Sequence, residues 1–170
     1  LALAIVMFYS YCKRFTSLAH IVLGISLGIA PVGAYMAVTG TSTWECWVLA
    51  LIVMTWCSGF DIIYALQDAE FDRENGLHSI PSHFSARTSL IISALLHVAS
   101  IALLVVFATS QPQSWLLWVG CSVFALILAS EHYIVTPTHQ RNIGIAFGTF
   151  NALASLSLAT FLIINLVVCG

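Results

Sequence analysis

Three aspartates that lie close together are the residues of this chain best suited to chemistry. Asp61, Asp68 and Asp72 are spaced by seven and four residues, in a sequence in which only 7% of the residues are charged. On an α-helix these positions fall within roughly 40° of one another, so the carboxylates would line one face. Because like charges at i, i+4 repel and carboxylates near a bilayer are costly, such a stripe predicts a bound cation. Hard oxygen ligands suit Mg²⁺, which takes one or two carboxylates together with substrate phosphate oxygens, so the pattern indicates enzyme chemistry on a diphosphate at a membrane.

Apolar segments that can carry these aspartates recur along the whole chain, and the mean hydropathy is +0.99. We therefore predict an all-α fold, a polytopic transmembrane helical bundle. A short first span is expected at about 1–12, and five longer spans of ~20 residues are expected near 18–38, 46–66, 88–109, 115–133 and 143–168. The first span is too short to cross a bilayer and the chain opens without Met. We therefore expect a single transmembrane domain over residues 1–170 whose N-terminal part is missing.

The basic residues predict which ends of the spans share a side of the membrane. All five lie in alternate connections between the spans: Lys13, Arg14, Arg73, Arg87 and Arg141. By the positive-inside rule that side is cytoplasmic, and all acidic residues except Glu45 cluster towards it. We expect a multi-pass integral protein of a bacterial inner membrane, with its active-site loops on the cytoplasmic side. The chain has no basic patch that would predict a nucleic-acid partner.

Glycine, proline and histidine positions predict how the spans pack and where they end. Gly24 and Gly28 form a small-xxx-small pattern, which lets two helices approach closely. Gly76 is expected to end the aspartate-carrying helix or to open a turn. Ile80 precedes a proline and is therefore expected to be extended. His97 lies in the middle of a span, so it must face protein rather than lipid.

Three motifs follow one another along the chain. The first is Tyr9-xxx-Lys13-Arg14-Phe15-Thr16, the second is Asp61-xx-Tyr64-Ala65-xx-Asp68-xxx-Asp72-xxx-Gly76-xx-Ser79, and the third is Phe147-xxx-Asn151. In type and order they resemble the UbiA superfamily of intramembrane aromatic prenyltransferases. The resemblance implies that the spans are helices four to nine of a nine-helix bundle. The branch that looks closest is that of the 4-hydroxybenzoate polyprenyltransferases, which includes enzymes assigned to menaquinone synthesis through futalosine.

The resemblance also implies roles for the acidic residues. A polyprenyl diphosphate would bind through Mg²⁺, and its prenyl group would pass to a ring carbon of an aromatic acid. Asp68 and Asp72 match the metal-binding, catalytic aspartates of the family. Asp61, the third catalytic candidate, would orient the acceptor, remove the ring proton or support the metal. The alternative for Asp61 is a structural salt bridge with a lysine or an arginine.

Basic, aromatic and amide residues complete the predicted substrate site. Lys13 matches the family's diphosphate-binding lysine, with Tyr9 alongside it; the alternative for Lys13 is a topology anchor. Arg73 would reach phosphate oxygens or remain a solvated loop residue. Tyr64 and Asn151 are the remaining candidates for substrate contact, with packing and structural hydrogen bonding as their alternatives. At another position, His78, many relatives carry a lysine.

One family motif does not occur in the sequence. The first aspartate-rich motif, of the type Asn-Asp-xx-Asp-xxx-Asp, would lie before Leu1. An inactive prenyltransferase fragment is therefore one alternative, and a cation-coupled membrane transporter with carboxylates spread through the membrane is another. A CDP-alcohol phosphotransferase would need an Asp-Gly-xx-Ala-Arg segment, which is absent. The acceptor, 4-hydroxybenzoate for ubiquinone or a dihydroxynaphthoate for menaquinone, stays open, as do the prenyl chain length and the oligomeric state.

Overall fold

The computed structural model describes residues 2–112, 114–138 and 143–169, and this part of the chain is built from helices. In chain order they are α1 (Ala2–Cys12), α2 (Ala19–Thr39), α3 (Trp44–Ala65), a 3₁₀ turn (Leu66–Asp68), α4 (Ala69–Glu74), α5 (Ile80–His83), α6 (Ala86–Ser110), α7 (Trp115–Ile134), α8 (Ile143–Ile145), a π-helical turn (Ala146–Phe150) and α9 (Asn151–Cys169). The predicted all-α class is confirmed. Arg141, predicted for the last connection, lies outside the described residues.

Five helical stretches of the described part are long and apolar enough to cross a bilayer, and they match the five predicted longer spans. They are Ala19–Thr39, Trp44–Glu74, Ala86–Ser110, Trp115–Ile134 and Ile143–Cys169. The second of them extends beyond the predicted 46–66, because the helix continues through the 3₁₀ turn into α4. Part of the connection predicted after this span is therefore helical, and this helical extension carries Asp68 and Asp72.

Helix α3 packs between α2 and α6 and supplies much of the apolar core. Gly24 and Gly28 bring α2 against α3: a Cβ atom at Gly24 would overlap the Met54 carbonyl oxygen, and one at Gly28 would lie 2.6 Å from the Ala50 carbonyl oxygen. The predicted small-xxx-small packing is confirmed. The side chain that a larger residue would add has no space between the two backbones.

We expect Gly24→Ala to lower the stability of the bundle by about 1–3 kcal/mol, because its new methyl group meets backbone that cannot move independently. Gly33→Ala is the matched control on the same helix, since a Cβ atom there meets nothing within 4 Å. Thermal unfolding of both variants in detergent would measure the difference. Equal unfolding temperatures would contradict the close α2–α3 packing.

Polar side chains add hydrogen bonds between α3 and its other neighbours. The Ser93 hydroxyl donates to the Gly59 carbonyl oxygen at 2.7 Å, which ties α6 to α3. One turn later His97 is buried against Gly59, and its Nδ1 lies 3.0 Å from Nε2 of His132 on α7. The prediction that His97 faces protein is confirmed. Glu131, beside His132, is fully buried, and its carboxylate comes within 3.9 Å of the His97 ring.

The segment after α4 contains a turn at Gly76 and the short helix α5. Gly76 has a φ of 65°, and the Leu77 N–H donates to the Asp72 carbonyl oxygen at 2.8 Å, so the predicted helix end at Gly76 is confirmed. The prediction that Ile80 is extended is wrong, because Ile80 is the first residue of α5. The Ser79 and Ser82 side chains each accept a hydrogen bond from the other residue's backbone N–H, at 3.2 and 2.9 Å. This capping box outweighs the local preference of a residue before proline.

Candidate active site

The chain brings the predicted diphosphate lysine and one predicted metal aspartate into direct contact. Nζ of Lys13, just after α1, lies 3.0 and 3.3 Å from the two carboxylate oxygens of Asp72 on α4. The backbone adds a second link, since the His78 N–H donates to the Lys13 carbonyl oxygen at 2.6 Å. The first and third connections between spans therefore meet at one end of the bundle, as predicted. Arg87, Thr136 and Pro137 line one cavity, which places the described part of the fifth connection at the same end.

The two partners of the Lys13–Asp72 pair differ in exposure. The Asp72 side chain is 2% exposed, whereas the Lys13 side chain is 29% exposed. A buried carboxylate without a partner is strongly unfavourable, so Lys13 is what makes the position of Asp72 tolerable. An ammonium group has three donors, and the partial exposure of this one leaves it accessible to a further acceptor. The pair can therefore support the helix end and still present positive charge at the surface.

Asp68 lies in a different environment from the other two aspartates. Its side chain is exposed, and within the described ranges it makes no hydrogen bond or ion pair. The 3₁₀ turn at Leu66–Asp68 overwinds the helix by about 20° per residue, which turns the positions after it relative to Asp61. The three carboxylates therefore do not form one uniform stripe: Asp61 and Asp72 are buried and paired, and Asp68 is open.

The partner of Asp61 is a histidine, which was not among the residues predicted from the sequence. Nδ1 of His20, on α2, lies 2.7 Å from Asp61 Oδ2, and both residues are buried. The lysine or arginine considered as an alternative partner is not used. The signal that could have identified His20 is its polarity within an apolar span, where a ring needs a hydrogen-bonding partner. Tyr9, half-buried on α1, lies within electrostatic range of the Asp61 carboxylate.

Aromatic residues of α3 contact the π-helical turn that precedes α9. The ring of Tyr64, 39% exposed, lies 4.2 Å from that of Phe147 between ring centroids, and Phe60 lies 5.6 Å from Phe147. Phe147 belongs to the π-helical turn, a feature that occurs often at functional sites. Asn151 holds this turn: its Nδ2 donates to the Phe147 carbonyl oxygen at 3.0 Å, and its Oδ1 accepts from Trp56 Nε1 at 3.0 Å. The predicted substrate contact of Asn151 stays a prediction, and its structural role is visible.

We expect Asn151→Ala to destabilise the protein by about 1–3 kcal/mol, because the buried Trp56 N–H would lose its acceptor. Trp56→Phe in the same background removes the unpaired donor and should recover part of that loss. Thermal unfolding of the two single variants and the double variant forms the cycle that measures the coupling. A coupling near zero would contradict the importance of this hydrogen bond.

Arg73 makes a different contact from that of its chain neighbour Asp72. It is exposed, and its Nε donates to the Ser82 carbonyl oxygen at 3.3 Å. Together with Gln67, Glu70 and Ser85 it lines a cavity of about 410 Å³ next to α4. Arg73 thus faces a polar, accessible cavity, where it can meet an anionic ligand.

The chain matches a family profile and several curated proteins. The profile of the UbiA prenyltransferase family matches residues 1–167. Similar curated proteins include the 4-hydroxybenzoate octaprenyltransferases of Enterobacter sp. (strain 638), 31% identical over 134 residues, and of Actinobacillus pleuropneumoniae serotype 5b (strain L20), 32% identical over 140 residues. The alignments cover 79% and 82% of this chain and 46% of each relative, so the chain spans about half the length of the curated relatives it matches.

A solved structure gives the same result for the fold. The chain is similar to the apo structure of a UbiA homologue from Aeropyrum pernix K1, with a TM-score of 0.81 and 27% sequence identity. The match covers 97% of this chain and 62% of that one. Because the family profile matches almost every residue and the helices superpose on a UbiA fold, this multi-pass helical membrane protein belongs to the UbiA prenyltransferase family.

Proposed function

We propose that this protein transfers a polyprenyl group from a polyprenyl diphosphate to an aromatic acid in quinone biosynthesis. The observation that carries the proposal is the pairing of a partly exposed lysine with an aspartate, beside a second, open aspartate, at one end of a bundle of apolar helices. A lysine ammonium binds phosphate oxygens, and apolar helix faces suit a prenyl tail. The names of the similar curated proteins favour 4-hydroxybenzoate as acceptor, and a dihydroxynaphthoate is the second candidate.

The acidic residues fit a magnesium ion that is shared with a substrate. In the described part of the chain, no group of three or more histidine, cysteine, aspartate and glutamate side chains is arranged to hold a metal ion. Mg²⁺ does not need such a cage, since it is commonly held by one or two carboxylates and completed by substrate phosphates and water. Asp68 offers two oxygens without a partner in the described ranges, and Asp72, one turn later, would add an oxygen beside its contact with Lys13. When bound there, the ion would neutralise charge that develops on the diphosphate.

The protein's own residues divide the remaining tasks. Lys13 would hold a diphosphate oxygen with the ammonium that also supports Asp72, and Tyr9 would lie beside it. Arg73 would attract the anionic substrate from its cavity. The bond between the allylic carbon and the diphosphate oxygen breaks, and a ring carbon of the acceptor forms the new carbon–carbon bond. Asp61 would then accept the ring proton.

The three aromatic side chains of Tyr64, Phe147 and Phe60 suit a reaction in which an allylic cation forms. Ring faces attract positive charge, so aromatic walls can stabilise an allylic cation while they exclude water. Asn151 would contribute by fixing the π-helical turn that carries Phe147. We place the active-site end on the cytoplasmic side of a bacterial inner membrane, because the basic residues of the described connections lie at this end.

Ligand-dependent stabilisation tests the diphosphate site. A polyprenyl diphosphate with Mg²⁺ should raise the unfolding temperature of the full-length protein in detergent, because a ligand that binds only the folded state stabilises it. The corresponding prenyl alcohol controls for binding of the tail alone. A shift of the same size with the alcohol would contradict the proposal, and a shift produced by monovalent cations without any diphosphate would favour the cation-coupled transporter.

A further inference from the structure

His20 occupies a position between the proposed base and the loop that follows the aspartate helix. It is fully buried, its Nδ1 lies 2.7 Å from Asp61 Oδ2, and its Nε2 accepts a hydrogen bond of 3.3 Å from the Ile80 backbone N–H. Because Nε2 is an acceptor, it carries no proton. The proton of the neutral ring must then be on Nδ1, which donates it to Asp61.

This hydrogen bond leaves the two oxygens of Asp61 in different states. Oδ2 is held by His20, and Oδ1 has no hydrogen-bonding partner among the residues that the structure describes. The Asp61 side chain is 12% exposed, so the carboxylate is not completely enclosed. One oxygen is therefore fixed and the other is available to a ligand. A single donor to one oxygen also restricts rotation of the carboxylate, as the second hydrogen bond of a metal-binding histidine restricts its ring.

The other ring nitrogen of His20 is hydrogen-bonded to the segment that carries α5. Ile80 is the first residue of α5, where backbone N–H groups have no partner within the helix, and His20 supplies the acceptor. Two residues earlier, the His78 N–H is held by the Lys13 carbonyl oxygen, and Lys13 holds Asp72. His20 thus joins Asp61 to the same loop that Lys13 joins to Asp72.

We propose that His20 is a positioning residue for the prenyl transfer, holding Asp61 so that Oδ1 faces the acceptor and fixing the loop over the diphosphate end. The inference rests on the proposed function, since it assigns Asp61 to the acceptor. His20 itself contacts neither substrate, and its Nε2 is closed by the loop, so it passes no proton onward.

Two amide variants separate the two hydrogen bonds of His20. An asparagine amide reaches the position of Nδ1 and can donate to Asp61, whereas a glutamine amide reaches the position of Nε2 and can accept from Ile80. We expect His20→Gln to lower kcat about 100-fold with a smaller change in KM, because the misplaced carboxylate loses the geometry of proton removal. His20→Asn should keep kcat within about tenfold of wild type. Ser26→Ala, on the same helix, controls for a general disturbance of α2.

Which of the two variants has the higher kcat distinguishes a positioning role of His20 from a packing role. Glutamine is closer to histidine in volume, so a purely structural role would make His20→Gln the more active variant, and that order would overturn the inference. Similar kcat values for both variants and wild type would overturn it too. A folded wild-type protein without transfer activity would instead overturn the proposed function, and the catalytic use of His20 with it.

A second measurement tests the assignment without activity. ¹⁵N NMR of histidine-labelled protein in detergent reports which ring nitrogen carries the proton, with His20→Asn identifying the signal. We expect a neutral ring protonated at Nδ1. A ring protonated at Nε2, or at both nitrogens, could not accept from Ile80 and would overturn the arrangement.

Discussion

Asp68→Asn should reduce prenyl transfer by about 100-fold or more while leaving the unfolding temperature unchanged. The loss is expected because an amide keeps the size of the side chain but removes the charge with which Asp68 would hold Mg²⁺, and metal assistance supplies several kcal/mol of charge stabilisation. The stability should not change, because Asp68 is exposed and makes no ion pair within the described ranges. Activity would be measured in membranes that carry the full-length protein, and unfolding in detergent.

The matched control for this prediction is Glu74→Gln. Glu74 is an exposed acidic residue at the end of α4, the helix that follows Asp68, so its substitution makes the same change in net charge close to the site. We expect its activity to stay within a few-fold of wild type, since it has no place in the proposed reaction. Normal activity of Asp68→Asn would remove Asp68 from the metal site. Equal losses in both variants would show that only the general negative field matters.

Breaking the Lys13–Asp72 pair should lower both the stability and the transfer activity. Replacing both residues by apolar ones should recover the stability alone. Lys13→Met leaves the Asp72 carboxylate buried without its cation, which we expect to cost about 3 kcal/mol, at the low end for buried pairs because Lys13 is partly exposed. The double variant Lys13→Met/Asp72→Leu replaces the pair by apolar groups and should regain most of that loss. Such replacements are often neutral or stabilising.

Activity separates the two roles of this pair. If Lys13 only anchored the helix end, the double variant would regain activity together with its unfolding temperature. We expect it to remain inactive, because the diphosphate then loses its ammonium partner and the metal loses a carboxylate. Unfolding in detergent and prenyl transfer in membranes would be measured on the same preparations. Recovery of both properties in the double variant would contradict the proposed substrate role.

The helices could be predicted from the sequence because each of the five longer spans is a long apolar run, and apolar length is the strongest signal a membrane chain carries. That α2 packs closely against another helix could be predicted from Gly24 and Gly28, because small residues let two helix backbones approach, but the pattern does not show that the partner is α3. The helical state of Ile80 could not be predicted from the sequence. It depends on hydrogen bonds between Ser79 and Ser82, and the rule for residues before proline pointed the other way.

The residues of the site could be predicted better than their partners. Asp61, Asp68 and Asp72 are conspicuous in an apolar chain, but a helical spacing alone predicts equal environments for them. Their actual difference arises from contacts that are distant in sequence: Lys13 is 59 residues from Asp72, and His20 is 41 residues from Asp61. Such pairs depend on how distant helices are arranged in space, and the spacing of the aspartates does not encode that arrangement.

Prenyl transfer by the full-length protein is the most direct test of the proposed function. Membranes would be supplied with Mg²⁺, a polyprenyl diphosphate and either 4-hydroxybenzoate or a dihydroxynaphthoate, and prenylated product would be measured by mass spectrometry. Membranes with a related 4-hydroxybenzoate octaprenyltransferase would serve as the positive control. We predict a prenylated aromatic acid and release of diphosphate, with 4-hydroxybenzoate preferred. Absence of product from both acceptors, with folded protein and an active control, would contradict the assignment of this site to prenyl transfer.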